Sequence, residues 1–242
     1  EDESFLKGEL VFTKQIMSGR GEFNYRQGIV SSDYYNFKYR DLAADSTQFN
    51  LYNDEMDKVL LSNESVRVKI DFDKQLLKGE TNDDEILTNL PLNQYSTNIP
   101  FFKWDVPEKK VYLEKGEDND DIDFFFVSTN PTFDSLTFAP SSAELDLTNL
   151  GIKAFDIAYF VVGDAKVKPE ATVEIGENGE IPALENAEIT ANIDNGYHLI
   201  TSASVNIFSS KRLTAGGMYQ YVDPNEKKWE IPMPDIRTTE EG

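Results

Sequence analysis

The sequence predicts an all-β fold of stacked short strands, either a β-solenoid or a jelly-roll-like open β-roll. Three observations carry this expectation. Polar and apolar residues alternate along the chain, helical periodicity is nearly absent, and a short alanine-centred pattern recurs in the C-terminal half. A period of two is what a half-buried strand requires, because successive side chains point to opposite faces. In chain order the alternating runs are 10–12, 23–25, 35–39, 66–72, 143–147, 173–175, 187–193, 204–208 and 218–222. Gly, Asn, Asp or Pro bounds each run, as turns require. The best helical window, 54–61, amounts to about two turns. The recurring pattern is a polar residue, an alanine, any residue and an aliphatic. It appears as Ser142-Ala143-Glu144-Leu145, Asp164-Ala165-Lys166-Val167, Asn186-Ala187-Glu188-Ile189 and Ser202-Ala203-Ser204-Val205, with the alanines 22, 22 and 16 residues apart. A period near twenty without helix suits one coil of a solenoid, where a small residue lets coils approach. An antiparallel meander whose strands begin with alanine is the alternative.

At 242 residues, 39% hydrophobic and 12% aromatic, the chain can bury a core as one large β domain or as two smaller ones. The expected division is an N-terminal β module over 1–116, a C-terminal β-repeat module over 117–231 packed on it, and a polar tail over 232–242. The run Gly116-Glu117-Asp118-Asn119-Asp120-Asp121 reads as an exposed loop at the internal boundary. With 44 acidic and 23 basic side chains the net charge is −21, and such a field repels polyanions. Nucleic acid and anionic membrane surfaces are therefore poor partners, whereas divalent cations, basic proteins and neutral sugars stay open. The absence of cysteine removes disulfides, thiolate nucleophiles and thiolate-bound metals. No apolar run approaches the roughly 20 residues of a membrane helix, so direct membrane insertion is not expected. The start Glu1-Asp2-Glu3 is no signal peptide; it reads as a mature N-terminus or, in the favoured reading, as the edge of a piece of a longer protein.

Catalysis by a nucleophilic triad is disfavoured by a single histidine, His198, and by the lack of G-x-S-x-G and H-E-x-x-H motifs. His198 follows a turn and enters a strand, as a hydrogen-bonded structural side chain or a lone general base. Paired carboxylates cut glycosidic bonds without His or Cys. Here Asp71, Asp73, Asp105, Asp123, Asp134, Asp156 and Asp164 all lie near turns, and nothing singles out a pair. No resident cofactor is expected beyond calcium, which takes six to eight oxygen ligands in irregular loops. Its candidate ligands are Asp118, Asp120, Asp121 and Asp123 beside Glu117, with Asp83, Asp84 and Glu85 as a second group; neither has the Asp-x-Asp-x-Asp-Gly spacing of a helix-flanked calcium loop or the Gly-Gly-x-Gly-x-Asp nonapeptide of a calcium-binding β-roll. Sugar binding needs exposed aromatic faces, and the candidates are Tyr95, Trp104, Tyr219, Tyr221 and Trp229, with Phe102 beside them. Core placement is the default for strand aromatics. Tyr35, Phe37 and Tyr39 share a face by spacing, and Phe124-Phe125-Phe126 implies cover on both faces or an apolar groove.

Leu92-Asn93-Gln94-Tyr95 with Phe102-Lys103-Trp104-Asp105, Phe126-Val127-Ser128-Thr129 with Asp134-Ser135-Leu136, and Asp164-Ala165-Lys166-Val167-Lys168-Pro169 carry a resemblance. Across residues 8–231 the chain resembles very large, uncharacterised, repetitive envelope proteins of Bacteroidetes-type bacteria. The resemblance implies a place in the cell envelope or outside the cell and a repetitive build, with no site residues. Ile29-Val30-Ser31-Ser32-Asp33 and Leu42-Ala43-Ala44-Asp45-Ser46 are more loosely similar to the β-roll domains of lipopolysaccharide-transport proteins, where an apolar trough shelters acyl chains. The expected function is a non-catalytic structural and binding module of a large exported protein, a rigid spacer or interaction surface. Its expected partners are other proteins or neighbouring repeats of the same chain, with glycan or lipid as further ligands. A carbohydrate-active enzyme or sugar-binding domain, and a lipid-conducting β-roll, are the competing readings. An enzyme predicts a cleft with carboxylates about 5 to 10 Å apart. A conduit predicts a continuous apolar trough, and a spacer predicts neither.

Overall fold

A computed structural model describes residues 4–83, 85–116, 124–170, 172–193 and 196–238. Its described residues contain no α-helix, and 21 strands form one antiparallel sheet that does not close into a barrel. The open β-roll of the sequence reading is therefore the fold, and parallel solenoid coils are not.

β1 (Ser4–Phe12), β2 (Met17–Tyr25), β3 (Gly28–Phe37), β4 (Asp41–Tyr52) and β5 (Val59–Asp71) form a meander of neighbouring pairs. At β5 the sheet divides. Residues from Val66 to Asp71 pair with β6 (Leu76–Thr81), while Ser62 pairs with Asn89 of β7 (Thr88–Leu90). Successive hairpins then join the two branches alternately. β8 (Tyr95–Thr97) extends the β7 branch, and β9 (Phe101–Asp105) with β10 (Lys110–Glu114) extends the β6 branch. β11 (Phe126–Ser128) and β12 (Thr137–Phe138) return to the β7 branch, and β13 (Ser142–Asp146) and β14 (Ile152–Phe155) to the β6 branch. β15 (Phe160–Val162) and β16 (Ala165–Lys168) follow on the β7 branch, and β17 (Val173–Ile175) ends the β6 branch. The β7 branch continues through β18 (Leu184–Ala191), β19 (His198–Ser209), β20 (Arg212–Val222) and β21 (Lys228–Arg237).

The long strands bend where their alternation slips. Register shifts fall between Gly19 and Gly21 in the β2–β3 pair and around Thr47 in the β4–β5 pair, and again within β18–β21. A bulge of this kind bends a strand and raises its twist. Gly21 adopts φ +122°, a conformation that disfavours side chains. Nearby, the buried Tyr35 hydroxyl lies 2.6 Å from the Val30 carbonyl oxygen, and burial pushes its pKa up to about 12. The division at β5 is pinned by a buried polar pair, with Asn63 Nδ2 donating to Thr88 Oγ1 at 2.9 Å. Between the branches, buried Asn93 donates to the carbonyls of Leu150 and Gly176 at 2.9 and 3.0 Å.

Inward residues of both branches form one core, with Trp104 and Val111 on one side and Tyr95, Phe126 and Phe160 on the other. Fully burying one such side chain contributes roughly 1.5–3 kcal/mol. Exposed ion pairs contribute about 0–1 kcal/mol each, so the core decides stability. Ala143, Ala165, Ala187 and Ala203 are all buried, and Ala187 faces Ala203 across the β18–β19 pair. The alanine pattern therefore marks inward positions of antiparallel strands. A different repeat stacks along the β6 branch, in the turns that begin Asp71-Phe72, Asp105-Val106 and Asp146-Leu147. Each aspartate accepts a turn N–H, from Lys74, Glu108 and Thr148, and Gln75, Lys109 and Leu150 take left-handed φ values. Val106 N–H then donates to Gln75 O and Leu147 N–H to Lys109 O, which zips one turn to the next.

The expected boundary at 116–117 falls between β10 and β11, but β8–β11 and β10–β13 pairings cross it, and the core is continuous. The polar tail begins later than expected, because β21 runs to Arg237 and pairs with β20 on both sides of a register shift. The window 54–61 is a turn leading into β5, and Tyr39, beyond the end of β3, is 92% exposed.

Candidate binding surface

The core's inner face continues past the point where it is covered. Residues opposed in an antiparallel pair share a face of the sheet. In β20 and β21 the opposed pairs are Tyr221 with Trp229, Tyr219 with Ile231, and Gly217 with Met233. Tyr219 lies opposite Ile200 of β19, which is buried, so this row belongs to the inner face. Tyr221, Trp229 and Ile231 are nonetheless 40%, 46% and 44% exposed. Among the described residues the β6 branch ends at β17, whereas the β7 branch runs on to β21, and the inner-face side chains of these last strands are more exposed than those of the earlier ones.

Polar groups frame the aromatic row. His198 Nδ1 lies 3.0 Å from Tyr219 Oη, which makes the lone histidine a hydrogen-bonded neighbour of this face. Lys227 sits with its ammonium 3.8 Å from the centre of the Trp229 ring. The Trp229 indole N–H donates to Asp223 at 3.4 Å. Asp223 is held below the usual carboxylate range chiefly by the Lys227 backbone N–H, with Asn225 and Trp229 adding to it. The five-residue turn from Asp223 to Lys227 thus fixes the edge of the platform.

Tyr95 and Trp104 do not reach this surface. Both are 1% exposed. Tyr95 packs against Phe126 and Phe138, with ring centres 6.4 and 5.7 Å apart, and burial pushes its hydroxyl pKa up. Trp104 meets Tyr25 edge-on at 5.9 Å, and a Cβ on Gly28 would lie 2.8 Å from its ring. Phe102 stacks on Phe49 at 5.3 Å. Their place in the alternation turns all three inward, so none offers a face to a sugar. Phe124 and Phe126 are buried while Phe125 is partly exposed, so the triplet alternates in burial as it enters β11.

Asp118, Asp120, Asp121 and Asp123, with Glu117 and Asp84, lie outside the described residues. Asp83 accepts the Glu85 N–H at 2.9 Å, a local turn contact. Among the described residues no three acidic or histidine side chains converge to hold an ion. The other aspartates are engaged locally: Asp73 with Arg40, Asp134 with Lys211, Asp156 with Ser141 and Asp164 with the Ile193 N–H. An open concavity of ≈710 Å³ lies along the bulge line of β1–β5 and is lined by Glu9, Arg20, Glu22, Asp33 and Glu64 among others. Among the described residues no helix is long and apolar enough to cross a membrane. Comparison with known protein families and with curated proteins gives no match.

Proposed function

We propose that the chain is a non-catalytic structural and binding module of a large exported envelope protein, a rigid spacer with an interaction surface at its last hairpin. The observation that carries this reading is the uncovered inner face of β20 and β21, set against an interior filled by its own side chains. The filled interior supports a spacer over a lipid conduit, which needs an open trough. Exposed apolar residues contiguous with a core favour a protein partner or a neighbouring repeat of the same chain. A periplasmic, cell-surface or extracellular place is supported by the sequence resemblance.

A neutral glycan is the second reading, favoured because Tyr219, Tyr221 and Trp229 share one face beside His198 and Asp223. Two measurements test the pair. At about 4.8 Å per strand, the run from β5 to β21 extends roughly 50 Å. Small-angle scattering should then give a radius of gyration above the roughly 18 Å expected of a compact chain of this length. A value at or below it would overturn the spacer. Trp104 is buried, so exposed tryptophan emission reports Trp229. Titration with neutral oligosaccharides that shifts this emission saturably, and fails to do so in Tyr221→Ala, supports the glycan. An unchanged signal at millimolar sugar removes it and leaves the protein partner.

A further inference from the structure

β1 is an open edge with a self-complementary sequence. Among the described residues it pairs with β2 alone, in unbroken register from Ser4 opposite Tyr25 to Phe12 opposite Met17. No proline or bulge interrupts its free side, and such a side is a template for strand addition. Phe5, Leu10, Val11 and Phe12 are all exposed.

The strand reads Phe5-Leu6-Lys7-Gly8-Glu9-Leu10-Val11. A second copy, turned antiparallel about a two-fold axis at Gly8, sets Lys7 opposite Glu9, Leu6 opposite Leu10 and Phe5 opposite Val11. A two-fold contact requires this kind of self-matching. β2 extends the match. Lys7 already pairs with Glu22 at 3.1 Å and Glu9 with Arg20 at 2.9 Å, each directly across the β1–β2 ladder. In the doubled sheet, the row Glu22, Lys7, Glu9 of the second copy and Arg20 of the second copy alternates in sign at every step. On the other face, Leu6 and Leu10 meet beside buried Phe23 and lengthen the apolar row. At the axis, glycine keeps the centre free of side chains.

We propose that the chain forms a two-fold dimer by antiparallel pairing of β1 with β1 of a second copy. Charge complementarity selects this partner and this register. The other terminal strand, β21, carries Pro232 and Pro234, which remove two backbone donors from it, and a register shift that interrupts its edge. The dimer does not rest on the role proposed for β20 and β21.

Sedimentation equilibrium over a concentration series tests the proposal. The contact is small, so association belongs at the weak end of the range and needs concentrated samples. The average mass should rise from 27.5 kDa toward twice that value. The double variant K7E/E22K keeps an opposite-charge pair between β1 and β2 but sets two carboxylates against each other across the dimer contact, at position 7 of one copy and position 9 of the other. E9K/R20E does the converse with two ammonium groups. Each should weaken self-association roughly tenfold or more, since two cross-strand pairs turn from attractive to repulsive. Mixed together, the two variants regain complementary rows and should form a heterodimer. Circular dichroism checks that each variant folds, and either one suffices for the self-association test. A wild-type chain that stays monomeric, a dimer undiminished in a folded variant, or two folded variants that fail to associate when mixed would each overturn the proposal.

Discussion

Among the described residues strands β1 and β21 each pair on one side only, and both expose apolar side chains, yet their free edges are built differently. β1 offers an uninterrupted row of backbone donors and acceptors in strict register with β2. β21 carries Pro232 and Pro234 and a register shift opposite Ala215 and Gly217. A paired strand keeps proline where its nitrogen faces away from the ladder. Pro232 stands opposite Met218 within the regular pairing, so its missing N–H falls on the free edge, while Pro234 falls within the register shift, the other place a sheet tolerates proline. Similar apolar exposure therefore carries two meanings. On β1 the backbone is open to another strand, whereas on β20–β21 the backbone edge is blunted and the side-chain face is what remains to bind.

The largest effect should come from breaking β1 at its centre. A Cβ on Gly8 would lie 1.9 Å from the Arg20 carbonyl oxygen, a backbone atom that cannot move aside alone. Gly8→Val should detach β1 from β2, cost about 1–3 kcal/mol in urea unfolding and abolish self-association. Hydrogen exchange should show lost protection confined to β1 and β2. Unchanged protection at β1 would mean the strand tolerates the side chain, and the close approach at Gly8 would lose its structural importance.

A smaller effect on stability, opposite in its consequence for assembly, is expected at β21. Replacing Pro232 and Pro234 together by valine restores two backbone donors to the strand, the one at position 232 on the free edge. In the K7E/E22K background, where β1 pairing is suppressed, light scattering should reveal new concentration-dependent association. Monomer stability should change by about 1 kcal/mol or less, as expected where Pro mainly restricts the unfolded chain. Continued monomeric behaviour would show that the bulge, and not proline, protects this edge.

Much of this was legible in the sequence, but unevenly. Alternation foretold the β class and most strands, since it reflects one buried face. It could not foretell which aromatic residues would be covered. Trp104 and Trp229 both alternate with charged residues, and what separates them is whether other strands lie over their rung. That depends on where each branch of the sheet ends, a long-range property. Tyr219, Tyr221 and Trp229 were nameable as a group, while Tyr95 and Trp104 were separable from them only by topology. The alanine pattern drew attention to inward positions, although its near-regular spacing suggested coils the chain does not form. The more informative repeat was the aspartate followed by an apolar residue at 71–72, 105–106 and 146–147, because it marks the stacked turns that organise the β6 branch. Tyr39 shows the limit of counting by twos: the parity matches Tyr35, but the strand has already ended.

The smallest effect separates the two ends by the way each fixes its carboxylates. Glu9 is held below the usual carboxylate range by hydrogen bonding to Arg20, and Glu22 by Asn24 and Lys7. A carboxylate whose folded pKa is depressed contributes stability that is fully present above its unfolded value, near 4.5, and that is lost as pH falls through the folded value. Acidification below about 4.5 should therefore weaken β1 pairing and any dimer built on it. Added salt at neutral pH should weaken both as well, because these groups are exposed and the interaction is between charges. Asp223 is also depressed, but mainly through the Lys227 backbone N–H. Short hydrogen bonds to neutral amides are little affected by screening. The β20–β21 turn should then loosen on acidification and hold in high salt, which amide chemical shifts of Asn225 and Lys227 can follow beside those of Lys7 and Glu9. Equal salt sensitivity at the two ends would show that ion pairing, and not amide hydrogen bonding, holds the Asp223 turn.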